Sequence, residues 1–186
     1  MTDTTLLEIP GYKAGTWVLD PSHSEVTFTV RHMMISKVRG VFGVKSATIV
    51  APENPLEASA TGSVDVASVD TKDEGRDAHL RSADFFDAEN FPTLDFVSTG
   101  VRAKGGDFLV DGDLTIRGIT NPVTFEVEFG GFGTDPWGNY KAGGTAKTVI
   151  NREDFGLVWN AALETGGVLV GKDVTITLDV QAALQA

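Results

Sequence analysis

With no cysteine among its 186 residues, acid–base chemistry near neutral pH points first to three histidines, His23, His32 and His79. Imidazole is the side chain that ordinarily changes charge near neutrality. His23 lies in the turn Asp20-Pro-Ser-His-Ser24, where short polar groups satisfy local backbone, so a loop-fixing hydrogen bond accounts for it. His32 shares a phase with Val26, Phe28 and Val30. It reads either as a satisfied core histidine or as a polar contact for something held inside. His79 shares a helical segment with Arg76 and Asp77, so a salt-bridged or capped surface role stands beside a ligand contact. The three lack recognisable metal spacing. There is no Gly-x-Ser-x-Gly elbow, and no catalytic Ser, His and acid set can be singled out. The chain therefore reads as non-catalytic, with no metal or cofactor.

Four arginines, Arg76, Arg81, Arg117 and Arg152, could grip an anionic group, since guanidinium matches phosphate oxygens in a bidentate fork. In an acidic protein the ordinary reading is that they pair with nearby carboxylates. Gly131-Phe-Gly133 resembles the start of a dinucleotide loop, but Pro136 takes the place of the third glycine and no helix pattern follows, so that reading fails.

The elements that must position these residues are mostly strands. From about Ser24 to Met33, and again from Lys37 with Val38, Gly40, Phe42 and Val44 in phase, apolar groups recur every second residue, the mark of a half-buried strand. Ala47 to Val50 continues that edge. Ala58, Ala60, Gly62, Val64 and Val66 share the next phase, a face of small residues that leaves room for a neighbour or a ligand. Thr71-Lys-Asp-Glu74 then matches a capping box, predicting a helix over about Lys72 to Ser82. Its apolar content is thin, so it should lie across a surface or a barrel mouth, packed down by Phe85, Phe86 and Phe91. Strands resume over Thr93 to Ala103, and over Phe108 to Arg117 beyond the hairpin Lys104-Gly105-Gly106-Asp107. A turn over Gly118 to Pro122 precedes a strand carrying Val123, Phe125, Val127 and Phe129. A glycine-rich loop spans Gly130 to Asn139, and the last strands hold Tyr140 to Ile150 and Val174 to Val180.

About eight strands joined by short connections, with one short helix after the fourth, predict an all-β, antiparallel up-and-down barrel, because an open sheet of that length leaves two unpaired edges. A two-sheet sandwich is the alternative. Residues 1–15 read as an irregular N-terminal arm and 16–186 as one barrel domain. With 26 acidic against 15 basic residues, a formal charge of -11 disfavours nucleic acid and anionic lipid surfaces. The N-terminus lacks a basic, apolar leader, and no apolar run reaches the roughly 18 residues of a membrane span, so a cytoplasmic protein without stable membrane insertion is expected.

Taken in order, Trp17-Val-Leu-Asp20 with Ser22-His-Ser24, Val38-Arg-Gly40-Val-Phe42, Arg76-Asp-Ala-His-Leu80 before Ser82-Ala-Asp-Phe-Phe-Asp87, Phe91-Pro92 with Phe96, Gly112-Asp-Leu-Thr-Ile-Arg-Gly118, Asn151-Arg152 before Asp154-Phe-Gly156 and Gly171-Lys-Asp-Val174 make the chain resemble the polyisoprenoid-binding YceI-like family. The resemblance covers nearly everything from Trp17 onward. It implies a lipocalin-like barrel that holds a long isoprenoid, a polyprenyl phosphate or an isoprenoid quinone, for storage, transport or sequestration. The residues expected to contact such a ligand are Phe28, Val30, His32, Phe42, Val64, Arg76, His79, Phe96, Leu114, Phe125, Val127, Phe155 and Trp159. An enzyme acting on such a lipid or a small metabolite through His32 or His79, and an interaction or stress module, are the alternatives. A homodimer is compatible with all three.

Overall fold

A computed structural model describes residues 7–186 as one antiparallel sheet of ten strands. In chain order these are β1 (Gly15–Leu19), β2 (Glu25–His32), β3 (Ser36–Phe42), β4 (Val44–Ala51), β5 (Ser59–Asp65), β6 (Thr93–Lys104), β7 (Asp107–Ile116), β8 (Ile119–Thr134), β9 (Tyr140–Asn151) and β10 (Val170–Leu184). One helix, α1 (Glu74–Arg81), interrupts them.

Ten strands make eight staves, because two pairs lie end to end. β10 is long enough to pair with β2 along its first part (Leu178 opposite Val26) and with β1 at its end (Trp17 opposite Leu184). β3 and β4 run on from each other, β3 on β2 and β4 on β1. Each later strand pairs with the one before it, and β9 returns to β10. The sheet therefore closes through β1 on β10 as an up-and-down barrel rather than a sandwich, and among the described residues only the outer side of β3, bridged at Val41–Asp70, has no partner strand.

Three boundaries differ from the sequence reading. Gly15–Leu19 is a strand, so the helix follows the fifth strand and not the fourth, and the barrel begins at the end of the expected arm. Residues 1–6 of that arm lie outside the described residues. The capping box does not form. Asp73 is the N-cap and accepts from Arg76 N at 2.8 Å, while the Thr71 hydroxyl donates to Asp77, which is buried on the helix. An Asp directly before the helix outcompetes the Thr two residues upstream for the free amides of the first turn. The glycine-rich loop is largely strand: β8 continues through Gly130 and Gly131 to Thr134, absorbing one register shift between Phe129 and Gly131 and keeping Phe132 opposite Ala142.

Inward phases carry the apolar residues. On β10 these are Val174, Ile176, Leu178, Val180 and Ala182, and on β7 Phe108, Val110, Leu114 and Ile116. Two aromatic rings lie flat on glycines of the neighbouring strand instead of standing up into the interior. A Cβ on Gly40 would sit 2.2 Å from the Phe28 ring, and one on Gly112 would sit 2.3 Å from the Phe96 ring and 2.6 Å from the Val97 carbonyl. The close approach needs glycine at both places.

Gly112→Ala is expected to lower the free energy of unfolding by about 1–3 kcal/mol, the cost of overpacking against a ring and a fixed carbonyl. Urea midpoints check this, with Gly100→Ala, where an added Cβ meets nothing within 4 Å, as the neutral control.

Candidate functional site

The barrel is hollow. A cavity of about 570 Å³ runs through it, within the range of small-molecule sites. Its wall is overwhelmingly apolar. Val110, Val127 and Leu178 line it yet are only half-buried, which for inward-pointing side chains means that they face empty space. The small residues of β5, Ala60 and Gly62, supply the room that their size suggested.

Of the thirteen residues singled out from sequence, twelve line this cavity: Phe28, Val30, His32, Phe42, Val64, Arg76, His79, Phe96, Leu114, Phe125, Val127 and Trp159. Phe155 does not. It is 2 % exposed in the 3-10 turn Arg152–Phe155 and packs with Phe85, Ile116, Ile150 and Leu157. Gly156, in the left-handed region at φ 74°, turns the chain so that the ring enters the packed rim.

One end of the cavity lies under α1. His79 Nε2 is 2.8 Å from Asp84 Oδ2, and its ring stands edge-on to Phe85 and Trp159 at 5.0 and 4.7 Å between centroids. A contact with a carboxylate and a position at the cavity therefore both hold for this residue. Arg76 also faces the cavity, but Nε and Nη2 donate to the Thr71 hydroxyl and carbonyl at 2.7 Å each. His32 lines the same end from the last position of β2, and neither of its ring nitrogens has a hydrogen-bond partner among the described residues. It is the histidine free to meet a polar group inside.

The other arginines divide differently. Arg81 does not line the cavity. Arg117 Nη1 donates to the carbonyls of Phe85 and Gly156 at 3.1 and 3.4 Å, tying the turn after α1 to the β9–β10 connection. Arg152 is 3 % exposed and reaches no carboxylate among the described residues. Its donors go to the carbonyls of Gly171, Leu157, Trp159 and Val170. Burial pushes its proton affinity down, with Glu153 opposing. It therefore fixes the connection that carries Leu157 and Trp159 to the cavity and is not a free anion grip.

The far end was not legible in the sequence. Trp17, Phe132 and Tyr140 close it as an aromatic cluster, with Phe132 and Tyr140 stacked at 5.7 Å. Tyr12 of the arm adds its ring and donates its hydroxyl to the Pro52 carbonyl at 2.6 Å. Burial and the charge of Glu53 hold the Tyr12 phenol above its ordinary proton affinity. The signal available was the alternation Phe129, Phe132, Tyr140, which is masked by the register shift at Gly131.

Asp20 and His23 lie outside the cavity. Asp20 accepts from the Ser22 hydroxyl, His23 Nδ1 at 2.8 Å and Lys141 Nζ at 3.1 Å, and these bonds hold its carboxyl well below the usual carboxylate range. His23 is the loop-fixing residue that its turn implied.

A closed antiparallel barrel with an apolar interior and a helix over one mouth defines a lipocalin-like binding barrel. More narrowly, the chain belongs to the YceI-like family, whose domain model matches residues 17–182. A UPF0312 protein of Staphylococcus aureus strain MSSA476 is 41% identical over 160 residues, covering 85% of this chain and 91% of its own. Among solved structures, BcnA of Burkholderia cenocepacia superposes with a TM-score of 0.73 at 26% identity, covering 88% of this chain and 98% of its own. A polyisoprenoid-binding domain from Saccharophagus degradans superposes at 0.64 with 13% identity, over 93% of this chain and all of its own, a likeness of fold alone.

Two outcomes test these roles. Arg152→Met should cost about 3–5 kcal/mol in urea unfolding, since four carbonyls lose their donor, and Arg152→Lys should recover less than half, because one ammonium cannot reach all four. Asp20 has a folded-state affinity below its unfolded one, so its stabilisation is complete above the unfolded value of about 4 and is lost as pH falls through the folded one. The gap in thermal midpoint between the wild type and Asp20→Asn should accordingly be widest at neutral pH and close in acid.

Proposed function

We propose that this protein is a non-catalytic lipid carrier that shelters a long isoprenoid chain in its lumen. The observation that carries the reading is the continuous apolar cavity from the α1 end to the aromatic end. Val170 and Ala182 of β10 both line it, and twelve residues of strand rise about 40 Å, or roughly 30 Å along the axis at the usual tilt of barrel strands. That is a space for an extended chain rather than a compact metabolite. The Saccharophagus degradans domain of the same fold, described as polyisoprenoid-binding, supports the choice of chain.

The polar groups are distributed to match such a ligand. His32, Arg76 and His79 line the α1 end, where a phosphate or quinone head group would rest, and the tail would run toward Phe132. Tail burial at about 0.8 kcal/mol per methylene would exceed, for a chain of about eight isoprene units, the roughly 20 kcal/mol at which noncovalent affinity saturates. Partial enclosure and loss of chain freedom absorb the excess. Chain length then sets affinity, and head-group selectivity depends on the few polar contacts.

Native mass spectrometry after gentle purification, followed by organic extraction, is expected to show a prenyl lipid bound one to one. Ala60→Trp, which fills lumen space from the small-residue wall, should weaken prenyl binding at least about tenfold while leaving the thermal midpoint near that of the wild type. A purified barrel that neither retains nor takes up any prenyl lipid would sink the reading.

A further inference from the structure

Beside the α1-end mouth, the β2–β3 hairpin ends in three apolar residues exposed to solvent: Met33 at 43%, Met34 at 52% and Ile35 at 82%. The turn is closed by Ile35 N donating to the His32 carbonyl at 3.3 Å, and Met33 and Met34 both have positive φ, 53° and 64°. A turn of that geometry favours Asn-Gly, and bulky side chains there store strain. Neither folding nor solubility calls for methionines at this place. Met33 N donates to the Leu169 carbonyl at 2.7 Å, so the tip stands directly on the rim whose Leu169, Val170 and His32 line the cavity. Val168, next in line, is also 36% exposed.

Charge is placed to match. From Val26 to Pro52 the chain carries Arg31, Lys37, Arg39 and Lys45 and none of its 26 acidic residues. Arg31 and Lys37 are paired across the hairpin just behind the tip, with Arg39 opposite Thr29 two residues further on. All three are exposed, and among the described residues none is in a salt bridge. An apolar prong backed by unpaired cations fits an anionic bilayer, with the thioethers and Ile35 in the acyl boundary and the basic groups at head-group level.

We propose that this hairpin docks the barrel reversibly on anionic lipid membranes, placing the α1-end mouth against the lipid that the lumen takes up or releases; the second half of that statement rests on the carrier reading above. The overall charge of -11 opposes approach at long range. It is screened beyond about 8 Å at physiological ionic strength, so the local stripe governs at contact and keeps binding weak enough to reverse.

Flotation with vesicles of phosphatidylcholine, with and without phosphatidylglycerol, tests docking. The wild type should float with the anionic vesicles at low ionic strength and less so at physiological salt. Lys37→Gln with Arg39→Gln should weaken this by roughly fivefold for each charge removed. Met33→Asn with Met34→Gly and Ile35→Ser should abolish flotation while the thermal midpoint is unchanged or raised, because Asn-Gly relieves the turn. Wild type that stays with buffer, or a tip variant that floats like wild type, overturns the proposal. So does a tip variant that only dissociates a dimer in light scattering, since the tip would then be a face for a second copy. Ala60→Trp separates the two readings: it should still float and yet extract no prenyl lipid from the vesicles.

Discussion

Everything else in this molecule depends on the closure of the sheet on β10. One long strand accepts β9 along one side and both β2 and β1 along the other, and this lets a ten-strand meander close into eight staves. Closure fixes the interior, because a barrel of eight strands encloses a space that must be filled by its own side chains or by something else. Here the inward phase is supplied in part by Ala58, Ala60, Gly62, Ser98 and Ala146, which are too small to meet across it. The small size of those residues at inward positions contributes to the hollow.

A hollow protein must find its core elsewhere, and it does so at the ends. Phe85, Leu114, Ile116, Ile150, Phe155 and Leu157 pack beneath α1, with Phe28, Phe42 and Val69 beside them, while Trp17, Ala51 and Ala182 anchor the opposite rim. Arg152 and Arg117 belong to the same design, since each stitches a loop to a rim through backbone carbonyls. Between the rims the wall is kept thin by Phe28 on Gly40 and Phe96 on Gly112. Packing is thus concentrated at the two rims, while the middle of the lumen is left open.

That separation explains what could and could not be read from the chain. The strands of the barrel announce themselves by alternation, and alternation also assigns faces, so residues such as Val30, Val64 and Val127 were placed on the lumen without a structure. Rim features are not periodic. Phe155 is expected against the ligand because its turn through Gly156 has no sequence period to show that it packs in the rim, and Arg152 reads as a candidate anion grip because four carbonyl acceptors leave no trace in the side chains. Tyr12 falls within the expected arm, and Gly15–Leu19 goes unread as a strand because five residues give too short an alternation to recognise. The capping box failed for a related reason, since two capping side chains compete within three residues and the sequence does not say which wins.

The two ends are also chemically unlike, and this gives the barrel a direction. At the aromatic end the polar atoms near the cavity are spent: the Tyr12 and Tyr140 hydroxyls and the Trp17 indole all donate to backbone carbonyls of Pro52, Gly11 and Lys13. At the α1 end His32 remains unpartnered, His79 is oriented by a single carboxylate, and the cover is one eight-residue helix held by a short network through Thr71, Arg76 and Asp77. A helix that short draws its stability from packing rather than from its own hydrogen bonds. A chain that enters the lumen tail first from this end meets polar partners only once its far end has passed. A ligand with one polar terminus is the kind that such an asymmetric lumen can hold in a single orientation.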